Sequence, residues 1–97
     1  MSDDAGLLLF VYGGCTFKVA PGAQAANAGS LLFCRHLPVR PGDRMLEIGS
    51  GIGLAAVLAA RAGAHVIATD VVEAAVRCTR DNAMLNGVAD RVSVRLG

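Results

Sequence analysis

Three glycines at alternate positions, Gly49, Gly51 and Gly53, stand between Met45-Leu46-Glu47-Ile48 and the alanine-rich run Leu54 to Ala62. Two acids flank them: Glu47, two residues before Gly49, and Asp70, at the end of the apolar run that begins at Ala64. Glycines crowd a loop where something must approach the backbone closely or where φ must be positive. Free N–H groups and the positive end of a helix dipole at such a turn favour a negative or electron-rich group of a ligand. A carboxylate at the carboxyl edge of a parallel sheet is well placed for ribose hydroxyls. The pattern predicts a nucleoside-containing cofactor.

The elements that must position these residues follow from periodicity and punctuation. Met45 to Ile48 reads as a buried strand, Leu54 to Ala62 as a helix by propensity, and Ala64 to Asp70 as a second buried strand. A crossover helix from about Val72 to Asn86 places Ala75, Val76, Thr79, Ala83 and Met84 at three- and four-residue spacings. Its charged residues Arg77, Arg80 and Asp81 fall largely on another face. Arg91 to Leu96 alternates as a third strand should, so the unit is βαβαβ, half of a doubly wound, Rossmann-like parallel α/β sheet.

Ahead of it, Leu7 to Tyr12 and Cys15 to Val19 flank Gly13-Gly14, the signature of a β-hairpin. The continuous apolar first arm of that hairpin demands a cover. Asn27 is placed to cap a helix running through Ser30 to Leu37 that covers the sheet, and Pro38-Val39-Arg40-Pro41-Gly42 stops it. With no linker, repeat or low-complexity tract, residues 1–97 read as one partial domain: hairpin and helix over 1–42, cofactor-binding half over 43–97.

Glu47-x-Gly49-x-Gly51-x-Gly53 followed by Asp70 resembles motif I and the following acidic loop of the class I methyltransferases that use S-adenosyl-L-methionine. The likeness continues through Asp81-Asn82-Ala83-Met84-Leu85-Asn86-Gly87-Val88, which is similar to the helix end of bacterial N-methyltransferases acting on release factors, ribosomal protein or ribosomal RNA. It covers roughly Pro41 to Gly97. The resemblance implies that the backbone of Gly49, Ser50 and Gly51 passes beside the methionine portion of the cofactor and that Gly53 lets the helix start close in. It implies further that Glu47 engages the amino group, Asp70 the two ribose hydroxyls, and Val71 the adenine face. Many members carry a second acid two residues after the one matching Asp70; here Val72 stands there, and the ribose grip rests on Asp70 alone. In the family, an adenine-reading acid follows the third strand and a nucleophile-positioning motif follows the fourth. Both are expected beyond Gly97, so no catalytic residue is assigned, and the chain reads as an incomplete methyltransferase, inactive alone, whose acceptor is a nitrogen on protein or RNA.

Two other readings stay open. Gly51-x-Gly53-x-x-Ala56 with Asp70 about 20 residues on also satisfies the fingerprint of an NAD(P)-dependent oxidoreductase. Against it stands Glu47, because a buried acid is costly unless paired. An ammonium-bearing cofactor supplies that partner, whereas a pyrophosphate would be repelled. The other is a non-catalytic S-adenosyl-L-methionine-binding or assembly module. In any of these readings the first parallel strand is left with an open edge, to be covered by the N-terminal hairpin, a second copy or a completing chain.

Composition narrows the classes. Hydrophobic residues make up 54% and aromatics only 4%, which suits a core of Ala, Val and Leu beneath helices. A net charge of +1 offers no polyanion-binding surface, so DNA is not expected as a partner, and RNA enters only as a substrate. Cys15, Cys34 and Cys78 are too far apart for a local zinc signature, and their odd number argues against a disulfide framework. No metal is assigned. No run approaches the roughly 18 apolar residues of a membrane span and no basic segment precedes the first apolar run, so a cytoplasmic protein is expected. His36 and His65 read as structural or solvated, the arginines 77, 80, 91 and 95 as solvated faces, and Cys78 as packing.

Overall fold

Two β-rich runs meet across Gly13-Gly14, where both residues adopt positive φ, 60° and 78°. That is the geometry of a two-residue turn whose twist suits a hairpin. The strands it joins are β1 (Leu8–Tyr12) and β2 (Cys15–Val19), paired antiparallel with Tyr12 opposite Cys15. The computed structural model describes residues 8–23 and 38–97. The helix expected through Ser30 to Leu37 lies outside the described residues.

From Arg44 the chain runs β3 (Arg44–Ile48), α1 (Leu54–Arg61), β4 (His65–Asp70), α2 (Glu73–Leu85), a 3-10 turn at Ala89–Arg91, and β5 (Val92–Leu96). The three strands form a parallel sheet in the order β3-β4-β5. This is the anticipated βαβαβ unit, with boundaries within a residue or two of those the sequence indicates.

Strand register decides which side chains the helices cover. Met45, Val66 and Val92 share one cross-strand row and Glu47, Ala68 and Val94 the next, while Leu46, Ile67 and Ser93 lie in the row between them on the opposite face. The first two rows face α1 and α2; Val66, Ala68 and Val94 are buried and Met45 and Glu47 half-buried. Leu46, Ile48 and Ile67 on the other face are exposed, so these strands are buried on one side rather than two. Successive right-handed crossovers stepping the same way across a sheet put both helices on one side of it.

The hairpin closes the far side of the helix layer. Cys15, Phe17 and Val19 of β2 join Ala56, Val57, Ala60, Val76 and Cys78 in one core. Four of the six buried residues of α1 are alanines, which lets the helix lie close to its neighbours. Leu9 and Val11, which the apolar run of β1 suggested would be covered, point outward and are exposed. They lie opposite Lys18 and Thr16, on the hairpin face turned away from the core. Among the described residues no helix is long and apolar enough to cross a membrane.

Candidate functional site

The glycine-rich loop sits where β3 gives way to α1, and its three glycines all take positive φ: 78° at Gly49, 58° at Gly51 and 87° at Gly53. Such angles are sterically cheap only without a Cβ. Gly49 and Ser50 both donate their N–H to the Thr69 carbonyl, at 2.8 and 3.0 Å, and Gly53 donates to Ser50 at 2.8 Å. Gly51 donates to Asp70 Oδ2 at 3.0 Å. The loop is thus stitched to the end of β4, and four of its N–H groups are already committed within the protein.

Asp70 occupies the end of β4 as expected, and it does more than wait for a ligand. Besides Gly51, its Oδ1 accepts the Val72 N–H at 2.9 Å, so one carboxylate ties the loop after β3 to the start of α2. Each oxygen retains an unused lone pair. Val71 beside it is an apolar side chain 81% exposed.

Glu47 is brought to the same place by the two-residue period of β3, which points it toward the helices. Its Oε1 is buried with no hydrogen-bond partner among the described residues. Burial pushes the carboxyl up from 4.5 to about 7; the Ala56 backbone N–H works against that rise, and the nearby Asp70 carboxylate adds to it. A buried oxygen of this kind is costly, and a cationic donor entering the crevice would relieve it.

All seven residues singled out in the sequence therefore lie at or just past the carboxyl ends of β3 and β4. Ser50 contributes backbone alone, because its hydroxyl is buried against Thr79 Oγ1 at 3.0 Å. A cavity of about 700 Å³ opens elsewhere, at the start of the strands, between Arg44, His65 and Arg91; no loop residue lines it.

The sequence reading missed residues on α2. Asn82 is wholly buried, whereas Met84, assigned to the apolar stripe, is 67% exposed. Asn82 hydrogen-bonds Lys18 and Ile52, and Asn86 hydrogen-bonds Thr16. Two asparagines four apart, in register with Thr79 and Ala75, were the available signal: a polar residue on a buried helix row must find backbone partners. Arg80 is exposed, as read, and also donates to the Val94 carbonyl at 2.8 Å.

Known proteins resemble the chain in sequence and in fold. Residues 23–97 match the family model for ribosomal protein L11 methyltransferase (PrmA). The chain is 47% identical over 91 residues to the ribosomal protein L11 methyltransferase of Pelotomaculum thermopropionicum, covering 88% of this chain and 30% of that protein. It is 36% identical over 77 residues to that of Syntrophomonas wolfei subsp. wolfei, covering 78% and 25%. The chain thus spans less than a third of the length of these relatives. In fold it is similar to the Pyrococcus abyssi tRNA (uracil-54, C5)-methyltransferase solved with S-adenosyl-L-homocysteine, with TM-score 0.79, 19% identity, and coverage of 95% of this chain and 24% of that one. By the match over three-quarters of its sequence, together with the Rossmann-like architecture and the loop, the chain belongs to the ribosomal protein L11 methyltransferase family.

Proposed function

We propose that the crevice around the glycine-rich loop binds S-adenosyl-L-methionine, and that the chain is the cofactor-binding part of a methyltransferase acting on a nitrogen of a protein or RNA acceptor. The observation that carries this reading is Glu47: a buried, unpartnered carboxyl oxygen suits an ammonium group. When bound, the cofactor supplies a methyl group activated by its sulfonium.

Glu47 would hold the amino group, and Asp70 would use its remaining lone pairs for the ribose hydroxyls. Gly49, Ser50 and Gly51 would offer backbone without obstruction, Gly53, packed against Thr79, would let α1 start close in, and Val71 would flank the base. Rate enhancement in methyl transfer comes mainly from holding acceptor and methyl close and aligned. The described part of the site contributes one half of that alignment, by fixing where the cofactor sits.

A dinucleotide fits less well, since its diphosphate would need loop N–H groups that Thr69, Ser50 and Asp70 already hold, and would sit beside two carboxyls. Calorimetric titration separates the two: S-adenosyl-L-homocysteine is expected to bind and a nicotinamide dinucleotide is not. Binding of the dinucleotide alone would reject the reading. Asp70→Ala should weaken S-adenosyl-L-homocysteine by at least about tenfold and lower stability by about 2 kcal/mol, because it frees two backbone N–H groups as well as the ribose contact. Denaturation alongside the titration measures both.

A further inference from the structure

The back of the loop is held by two side chains of α2 that take no part in the crevice. The Thr79 hydroxyl donates to the Gly51 carbonyl at 3.1 Å and, its one proton so used, accepts from Ser50 at 3.0 Å. Three residues on, Asn82 Nδ2 donates to the Ile52 carbonyl at 2.7 Å and to the Lys18 carbonyl at 2.9 Å, while its Oδ1 accepts the Lys18 N–H at 2.9 Å. Both residues are wholly buried. Asn82 thereby pairs with β2 as a neighbouring strand would and grips the loop with the same amide.

Asn86 supplies a natural comparison. It repeats the strand-like pairing, donating to the Thr16 carbonyl at 2.8 Å and accepting the Thr16 N–H at 3.0 Å, and it donates to the Asn82 carbonyl at 2.8 Å, yet bonds no loop residue. The approach of α2 to the loop is also close at a third point, where a Cβ built on Gly53 would fall 2.9 Å from Thr79 Cγ2 and 3.1 Å from its Cα.

We infer that Thr79 and Asn82 are positioning residues for the cofactor site proposed above: they fix the Gly51 and Ile52 carbonyls and make the order of the loop depend on the hairpin. A loop with three positive-φ glycines has many conformations open to it, and ordering it on binding would cost affinity. Tethering both carbonyls in advance removes that cost. The inference rests on the cofactor reading for its effect on binding, but not for its effect on the loop.

Three variants of the full chain separate positioning from packing. Thr79→Val keeps the shape and loses only the loop bonds, Asn86→Ala loses the hairpin bonds and one bond within α2 but none to the loop, and Asn82→Ala loses bonds to both loop and hairpin. The dissociation constant for S-adenosyl-L-homocysteine is expected to rise roughly tenfold in Thr79→Val and Asn82→Ala, and to stay within about twofold in Asn86→Ala, although Asn86→Ala also lowers the Tm. In the ligand-free chain, amide exchange at Gly51 and Gly53 should accelerate relative to Ala68 in the first two variants and not in the third. An affinity that simply tracks Tm across all three, or unchanged loop exchange in Thr79→Val, overturns the inference. If the parent chain takes up no S-adenosyl-L-homocysteine, the cofactor reading fails, and the exchange at Gly51 and Gly53 alone decides the positioning claim.

Discussion

Gly53→Ala is expected to destabilise the chain by about 3 kcal/mol, against about 1 kcal/mol for Gly49→Ala. Both residues sit at positive φ, 87° and 78°, so both substitutions incur left-handed strain. They differ in their surroundings. A Cβ at Gly49 meets nothing within 4 Å, whereas one at Gly53 runs into Thr79, including its backbone Cα. Backbone cannot rotate away as a flexible side chain can, so α1 and α2 must part or the loop must lift. Urea denaturation of the two variants reads the difference. Equal losses would mean that the contact between loop and α2 is not tight. Because the displaced loop also carries the Gly51 N–H that Asp70 accepts, Gly53→Ala should cost ligand affinity as well.

The second large effect is a pH dependence of the ligand-free chain. The Glu47 carboxyl titrates near 7 when folded and at 4.5 when unfolded. Below 4.5 both states hold the proton and stability is at its full value. Between the two values the unfolded chain has released its proton and the folded chain has not, so stability falls as pH rises, levelling off above about 7. The loss integrates to on the order of 2–3 kcal/mol once the solvent still touching a half-buried side chain is allowed for. Glu47→Gln should abolish that slope and at the same time weaken any ligand that presents an ammonium group. Denaturation midpoints across this range, for parent and variant, test it; a parent chain whose stability is flat or rises between pH 4.5 and 7 contradicts the burial of Glu47.

The loop and its two acids were legible because their signals are local. Three alternate glycines between a strand and a helix mark a turn that needs positive φ, which Gly49, Gly51 and Gly53 all adopt, and Glu47 and Asp70 sit at the ends of short β-rich runs. The hairpin was legible for the same reason, since Gly13-Gly14 sets both turn angles. What the loop leans on was not legible, because it depends on which helix row faces inward. Sorting α2 by hydrophobicity found Ala75, Val76, Thr79 and Ala83 but added Met84, while the buried set is Ala75, Val76, Cys78, Thr79, Asn82 and Ala83, in which polar Asn82 takes a buried place. Its partners, Lys18 and Ile52, lie 64 and 30 residues away, beyond the reach of any periodicity. The second use of Asp70 was hidden likewise: a strand-end acid suggests a ligand, and only the fold brings Gly51 within 3.0 Å of it.

Proton release on binding tests the role of Glu47 most directly. At about pH 6, the 97-residue chain is titrated calorimetrically with S-adenosyl-L-homocysteine in two buffers of different ionisation enthalpy. An ammonium group paired with Glu47 forces the carboxyl to ionise, so release of most of one proton is predicted, fading toward none at about pH 8 and absent in Glu47→Gln. Binding with no net proton release at about pH 6, or equal affinity in Glu47→Gln, would contradict it.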